Sequence, residues 1–542
     1  MTAFTGTWRL VRLALRRDRV QLPLWLLGLV LLEASTVSSI VGLYPDEQER
    51  FNLAVTSANS PVSLMTNGLV SGSSLGATTM TQGLAVLGLG VAFMSTLAVV
   101  RHTRQNEETG RAEMIGAGIV GRHASLTAAL IVTVGANVMF ALLGALTLIA
   151  NDLPAGSSVL AGASLGFVGI AFGAIAAVTA QISETARGAN GMAAAAIGVA
   201  FLLRAVGDVA GKTVEGGTKT ISAWPSWLSP IGWSQQTRAY DDDNWWVLGL
   251  FVVTVVGLVG LAFELTAHRD VGAGMRAVRP GAPAAAPSLL SPLGLAWRLQ
   301  RGVLLGWAVA MVVLGATYGG IGDEIEEMVG DSDAMADYIE QLGGTGTLTE
   351  NYFATTLLFA GIAASGYAIQ TLLRMRSEEA ADRVEPVLAT SVSRARWMVS
   401  HIVIAVLGVV ALVVLMGLST GVTYGLVIGD VGGQVPTLVG AALVQAPAAL
   451  ALAGLAVAVF GLLPRRAVAI AWTAFALCLL MGQLGVILDL PQAVLNLSPF
   501  THLPAAPADD VVATPLIMLL VVAAALLATG MTAFRRRDLA LG

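Results

Sequence analysis

Long apolar runs follow one another along the chain, separated by short polar segments, and each is long enough to cross a hydrocarbon layer about 30 Å thick as a helix. The spacing predicts spans near 20–43, 78–100, 124–150, 157–180, 186–207 and 245–267, then near 303–321, 352–373, 397–427, 436–462, 467–488 and 512–534. The polar segments repeat too. Arg104, Glu107, Arg111, Glu113 and Arg122 fall onto Arg376, Glu379, Arg383, Glu385 and Arg394 with a single shift of 272 residues. Upstream, Arg16, Arg19 and Trp25 match Arg298, Arg301 and Trp307 at a shift of 282. Downstream, Leu228-Ser229-Pro230 matches Leu497-Ser498-Pro499 at 269, and Arg269-Asp270 matches Arg537-Asp538 at 268. Self-similarity at half the chain length implies two fused copies of one six-helix unit. The expected domains are a first half over 1–270, an Ala/Pro/Gly-rich linker over 271–290 and a second half over 291–542.

Composition strengthens this picture. A chain that is 55% hydrophobic and 12% charged, with a mean hydropathy of +0.75, lies outside the range of soluble domains and predicts an all-α polytopic membrane protein. Its 61 glycines suit close helix approach in lipid, where small residues let backbones touch. The lone Cys478 has no intrachain partner, so helix packing must hold the fold.

Charge placement predicts topology. Arginines crowd the N-terminus, the segments after each second span, the central linker and the C-terminus, whereas Asp323 to Asp337 contain seven acidic residues and no Lys or Arg. The positive-inside rule then places both termini and the linker in the cytoplasm, the acidic loop outside, and the two halves parallel. Trp8, Val11 and Leu15 form an apolar stripe opposite Arg9, Arg12, Arg16 and Arg19, the pattern of an amphipathic elbow on the membrane surface. Trp297, Arg298 and Arg301 predict a second elbow.

The twin charged loops carry the most chemistry. Glu107 and Arg111, like Glu379 and Arg383, stand four apart and would face each other on a helix. A short rigid helix projecting from each half is what a transporter needs to receive a push from a soluble motor. Within the spans, Glu33 is costly unless it faces protein or water, and it is a candidate for lining a cavity or for a structural hydrogen bond. Asn137, Gln445 and Gln483 are further substrate-path candidates, although an amide within a span often bonds a neighbouring helix. Arg204 is also a substrate-path candidate, and with Asp208 four residues on it suggests a local ion pair, a gate or both. His401 is expected at an interface.

Two tempting motifs fail on counting. Gly207 to Thr213 looks like a phosphate loop but has three residues between its glycines where four are required. Asp241, Asp242 and Asp243 invite a metal or pyrophosphate reading, but they precede Trp245-Trp246 at a predicted membrane edge, where an acidic cap beside an aromatic belt is the simpler account. No catalytic, cofactor-binding or metal-ligating residue is assigned.

The elbow, the loops RQNEETGRAEMIGAGIVGR and RSEEAADRVEPVLATSVSR, and the segments RAVGD, LSPIGW and LSPFTHLP together resemble the ABC-2 type export permeases. Within that family the chain resembles the fused two-half permeases of actinobacterial polyketide, tetronasin and multidrug exporters. The resemblance implies two tandem parallel type V exporter-like bundles in the cytoplasmic membrane, with elbow and coupling helices. It puts Glu107, Arg111, Glu113 and Arg122, and Glu379, Arg383, Glu385 and Arg394, at ATPase-coupling loops. Ser229, Pro230 and Trp233, and Ser498 and Pro499, fall at outer hairpins. It further implies a separate ATP-binding cassette subunit acting as a dimer and carrying ATP and Mg²⁺, with no cofactor on this chain, a hydrophobic or lipid-like cargo, and no nucleic-acid partner. The competing readings are an ion-coupled carrier, which would want several ionisable residues within its spans, and a membrane-bound transferase, which would need Asp241 to Asp243 for catalysis.

Overall fold

A computed structural model describes residues 2–214, 216–270, 272–275, 283–323, 346–484 and 491–538. Its contacts divide the chain into two compact units, Met1–Pro280 and Gly281–Gly542.

In the first unit, α1 (Thr7–Arg17) is the elbow, and it is set off from α2 (Gln21–Leu43) by three residues. Two short helices follow, α3 (Glu47–Asn59) and α4 (Pro61–Thr66), neither of which hydropathy had suggested. The second to fifth long helices are α5 (Leu75–His102), α8 (Ala124–Ala150), α9 (Ala155–Ile182) and α10 (Ala186–Val209). Between α5 and α8 lie α6 (Arg104–Glu108) and α7 (Arg111–Gly116). After α10 come an antiparallel hairpin, β1 (Lys212–Val214) with β2 (Lys219–Ile221), paired Thr213 to Thr220, then α11 (Pro230–Gln236) and α12 (Leu248–His268).

The second unit is built likewise but not identically. Its helix α13 (Pro292–Ile321) runs unbroken for 30 residues. The predicted second elbow around Trp297 is therefore the first turns of the span, because no helix breaker separates the two as Asp18–Val20 does in the first copy. Then come α14 (Leu348–Ala380), α15 (Val384–Leu388) and α16 (Arg394–Ile428). At 35 residues and 1.5 Å per residue, α16 is about 50 Å long and outruns the hydrocarbon layer. The fourth span is split into α17 (Val431–Leu443) and α18 (Ala446–Leu462), and α19 (Ala467–Leu484), the short α20 (Gln492–Leu495) and α21 (Ala513–Arg536) complete the unit.

Side-chain caps start several of these helices, as in the capping boxes Asp46/Glu49 and Thr347/Glu350. Packing explains the rest. In the first unit α5 and α9 are central, around Leu87, Val91, Phe140, Leu165 and Phe172. In the second, Tyr367, Trp397, Phe460 and Phe534 fill the core. Glycines bring backbones together: a Cβ on Gly461 would overlap the carbonyl of Gly530, closing α18 onto α21. In the first unit the corresponding face stays open, and an apolar groove of about 500 Å³ runs between α8, α9 and α12, lined by Ile131, Val134, Ile170, Val255, Val259 and Phe263.

Candidate functional site

The duplicated charges meet at the arginine-rich end of each unit. In the first, Glu107 on α6 receives two parallel bonds from Arg269, just past α12: Nη2 to Oε1 at 2.6 Å and Nη1 to Oε2 at 2.8 Å. Arg104 adds a bond to Oε2 at 2.7 Å and extends its Nε to the Ala180 carbonyl and its Nη2 to the Ala273 carbonyl. Arg122, just before α8, donates to the carbonyls of Thr266 and Arg269. In the second unit Arg537, just past α21, makes the same two parallel hydrogen bonds to Glu379, 2.6 Å to Oε1 and 2.8 Å to Oε2, and Arg394 donates to the Arg537 carbonyl at 2.6 Å. Two bonds in parallel fix orientation as well as distance. The end of each last span is thus gripped twice, through its own arginine by the glutamate after the second span and through its free carbonyls by the arginine before the third.

This corrects the predicted pairs. Glu107 does not face Arg111, because Gly110 takes a left-handed φ of 70° and ends the helix between them. The matching residue in the second unit, Asp382, has φ 54°, a conformation that Asp tolerates better than most side chains. The same break therefore appears without glycine. Arg383 reaches Glu378 at 3.5 Å instead of Glu379 and is largely exposed. Glu107, Arg122, Glu379 and Arg394 are structural ties, whereas Arg111, Glu113, Arg383 and Glu385 project into solvent. On the first loop Met114 and Ile119 are also more than 70% exposed; Pro386 and Ser391 take their places on the second.

The elbow is fastened to the same loop. Asp18 accepts from Arg101 at 2.6 Å and meets His102 Nε2 at 2.6 Å, while Arg17 donates to Asn106 at 2.7 Å. Burial pushes the Asp18 carboxyl up, but the His102 bond and the charges of His102 and Arg101 outweigh it and hold it below the ordinary 3.8.

The substrate-path candidates separate. Arg204 on α10 is fully buried and donates to the carbonyls of Leu64, Met65 and Thr66, capping α4; its Nη1 lies 3.5 Å from Asp208 Oδ2 and its guanidinium covers the Phe201 ring. It fills a packed junction between α10 and α4. Asn137 bonds Ser95 and the Thr133 carbonyl, tying α8 to α5. Gln445 sits buried at the start of α18 against Gly361 of α14. Gln483 lies outside the described side chains, as does the acidic stretch beyond Asp323. Glu33 on α2 is fully buried against Gly144 of α8, and neither carboxylate oxygen has a partner among the described residues. His401 is likewise buried, 2.8 Å from Gln300.

Asp241 and Asp242 surround Lys219, at 2.8 and 3.3 Å, with Arg238 beside them. Asp243 accepts from Ser157 and from the Tyr240 amide. Asp241 and Asp242 are spent on pinning the hairpin through Lys219, and Asp243 ties the Tyr240 turn to α9. Burial pushes the Tyr240 phenol, bonded to Ser158, up to about 12. Ser229 caps α11 and Pro230 begins it, with Trp233 bonded to the Trp227 carbonyl and edge-on to Phe251. Ser498 and Pro499 open a shorter turn at Pro499–His502.

Residues 289–535 match the family model of the C-terminal domain of multidrug efflux system permease Rv1217c. Over 538 residues, 99% of this chain and 96% of the other, the sequence is 42% identical to the multidrug efflux system permease protein Rv1217c of Mycobacterium tuberculosis (strain ATCC 25618 / H37Rv). The chain belongs to the Rv1217c permease family. Among its described residues 11 helices are long and apolar enough to cross a membrane, so this permease is an all-α, multi-pass membrane protein.

The repeat of Arg269-Asp270 at Arg537-Asp538 is visible in the sequence, while its pairing with Glu107 and Glu379 emerges only in the fold. The signal was present, since Glu107, Arg122 and Arg269 all recur at nearly equal shifts. The N-terminal strap, in which Thr5 and Ala3 carbonyls accept from Gly121 and His123 and Phe4 packs on His123 and Phe263, likewise emerges only in the fold.

Proposed function

We propose that this permease is the transmembrane subunit of an ABC-2 type ATP-binding-cassette exporter. It moves hydrophobic or amphiphilic compounds, such as antibiotics, drugs or lipid-like molecules, out of the cell, driven by a separate ATPase acting as a dimer at the two loops α6–α7 and α14–α15. Both termini and both loops then face the cytoplasm of an actinobacterial cell.

The observation that carries this reading is the twofold recurrence of a braced loop, held by Glu107–Arg269 in one unit and Glu379–Arg537 in the other, each presenting an exposed charged turn. Two rigid, outward-facing turns of one design suit a dimeric motor. The multidrug efflux name of the relative supports the direction and cargo class. An apolar interior binds greasy area with little hydrogen-bond selectivity, which suits varied cargo. The described spans hold few ionisable groups away from their ends, Glu33, His401 and the Arg204–Asp208 pair among them, and that disfavours the ion-coupled carrier. The aspartates paired with Lys219 and Arg238 leave little for the transferase.

The test is transport of a fluorescent amphiphile by liposomes holding the permease, with and without a soluble cassette ATPase that co-purifies with it. Accumulation that needs both that subunit and ATP is the expected result. Transport by the permease alone, or transport driven by a proton gradient without ATP, would overturn the reading.

A further inference from the structure

From the paired clamps we infer that Arg269 and Arg537 are positioning residues that carry motion between each coupling loop and the last span of its unit. This deepens the exporter reading and rests on it.

A loop that receives a push must pass it on. Each loop has its own covalent routes, back into the second span and onward into the third. The last span has no covalent link to the loop, and would be left behind without another one. The clamp supplies that link. Glu107 holds Arg269 through two bonds, and Gln181 of α9 receives Arg269 Nε at 2.6 Å, so the fourth span joins the same knot. In the second unit Glu379 holds Arg537 in the same way, and the guanidinium lies over the rings of Phe460 on α18 and Phe534 on α21. The fourth and sixth spans are therefore tied to the loop in both copies, through an amide in one and an aromatic face in the other.

Two features set these pairs apart from ordinary surface ion pairs. Each is a pair of parallel hydrogen bonds between groups mostly withdrawn from water, with Glu379 1% exposed and Arg537 15%, so salt and solvent weaken it little. Each also joins segments about 160 residues apart, 162 in one unit and 158 in the other. The partners differ around them, yet the glutamate and arginine are retained in both copies, which points to the tie itself.

The lone native cysteine makes the test clean. In a Cys478→Ser background, Glu107→Cys with Arg269→Cys, and separately Glu379→Cys with Arg537→Cys, are reconstituted with the ATPase and assayed before and after a reducible bifunctional methanethiosulfonate linker. Before linking, ATPase binding should stay near that of the parent and the melting temperature should fall, because Arg104, fully buried, loses the Glu107 carboxylate, while cargo moved per ATP, read well below the melting point, falls roughly tenfold. Linking should restore coupling, and reduction should abolish it again. A merely structural role would leave cargo moved per ATP unchanged below the lowered melting point, with or without the linker. Unlinked variants that couple like the parent, or linked variants, confirmed by mass, that stay uncoupled, would overturn the inference.

The tie is also read without any ATPase. Spin labels at Glu113 and His268 should give a narrow distance distribution that broadens in Glu107→Gln, and an unchanged width would refute the clamp. A parent that never transports with ATPase and ATP would instead sink the exporter reading, leaving the spin-label result to decide the tie.

Discussion

Replacing Arg204 by Met tests whether this arginine is a path residue or a structural plug. The side chain is fully buried, satisfies three carbonyls at the end of α4 and faces Asp208 at 3.5 Å. Asp208 is not abandoned when Arg204 goes, because Ser222 donates to its Oδ1 at 2.6 Å. Removing one member of a buried pair costs about 3–5 kcal/mol, and each stranded carbonyl adds up to about 1–3 kcal/mol where water cannot reach it. These terms overlap, and α4 lies near the end of the bundle where some carbonyls can rehydrate. We therefore expect a net loss of about 3–5 kcal/mol. The assay is equilibrium unfolding in mixed micelles for Arg204→Met, Asp208→Asn and the double variant, with cargo affinity measured on each. The double variant should cost less than the sum of the singles by about 0.5–3 kcal/mol, and cargo affinity should not change. Undiminished stability together with lost cargo binding would refute the plug and return Arg204 to the path.

Three further outcomes are expected. Glu33→Met should hold or raise stability, by up to about 4 kcal/mol, because it removes a buried carboxylate without partners among the described residues; a loss above about 1 kcal/mol in the same unfolding assay would reveal a bond that matters. Asp18 has a lowered folded pKa, so its contribution to stability is present above its unfolded value near 3.8 and is lost as pH falls through the lower folded value; melting curves should show Asp18→Asn less acid-sensitive than the parent below about pH 4, and parallel curves would contradict this. Gly461→Ala should cost about 1–3 kcal/mol by pressing on the Gly530 carbonyl, whereas Gly135→Ala, with nothing within 4 Å of the added methyl, should be neutral; equal melting temperatures for both would deny the close approach of α18 and α21.

Much of the architecture was legible because membrane spans announce themselves locally. The run before Tyr44 and the run from Ala124 to Ala150 have boundaries that hydropathy places within a few residues, since lipid demands unbroken apolar helix. Short polar elements were not legible. Helices α3 and α4 and the hairpin around Thr220 depend on distant partners, such as the Val70 carbonyl that accepts from the Thr220 amide. The charged loops were found by repetition, but their pairing was misread. Helical spacing favoured Glu107 with Arg111, and only a left-handed residue at 110 or 382 turns the glutamate toward an arginine some 160 positions away. The capping of α4 by Arg204 was illegible for a similar reason. Its carbonyl partners on α4 are more than 130 positions distant, and no local pattern signals a cap of that kind.

Single cysteines at Glu113 and Glu385, placed in a Cys478→Ser background, report most directly on the arrangement of the two braced loops. In intact cells and in inverted vesicles, a membrane-impermeant maleimide should reach both from the cytoplasmic face only, and added cassette ATPase should shield both. Labelling of the two positions from opposite faces, or no shielding of either by the ATPase, would contradict the account.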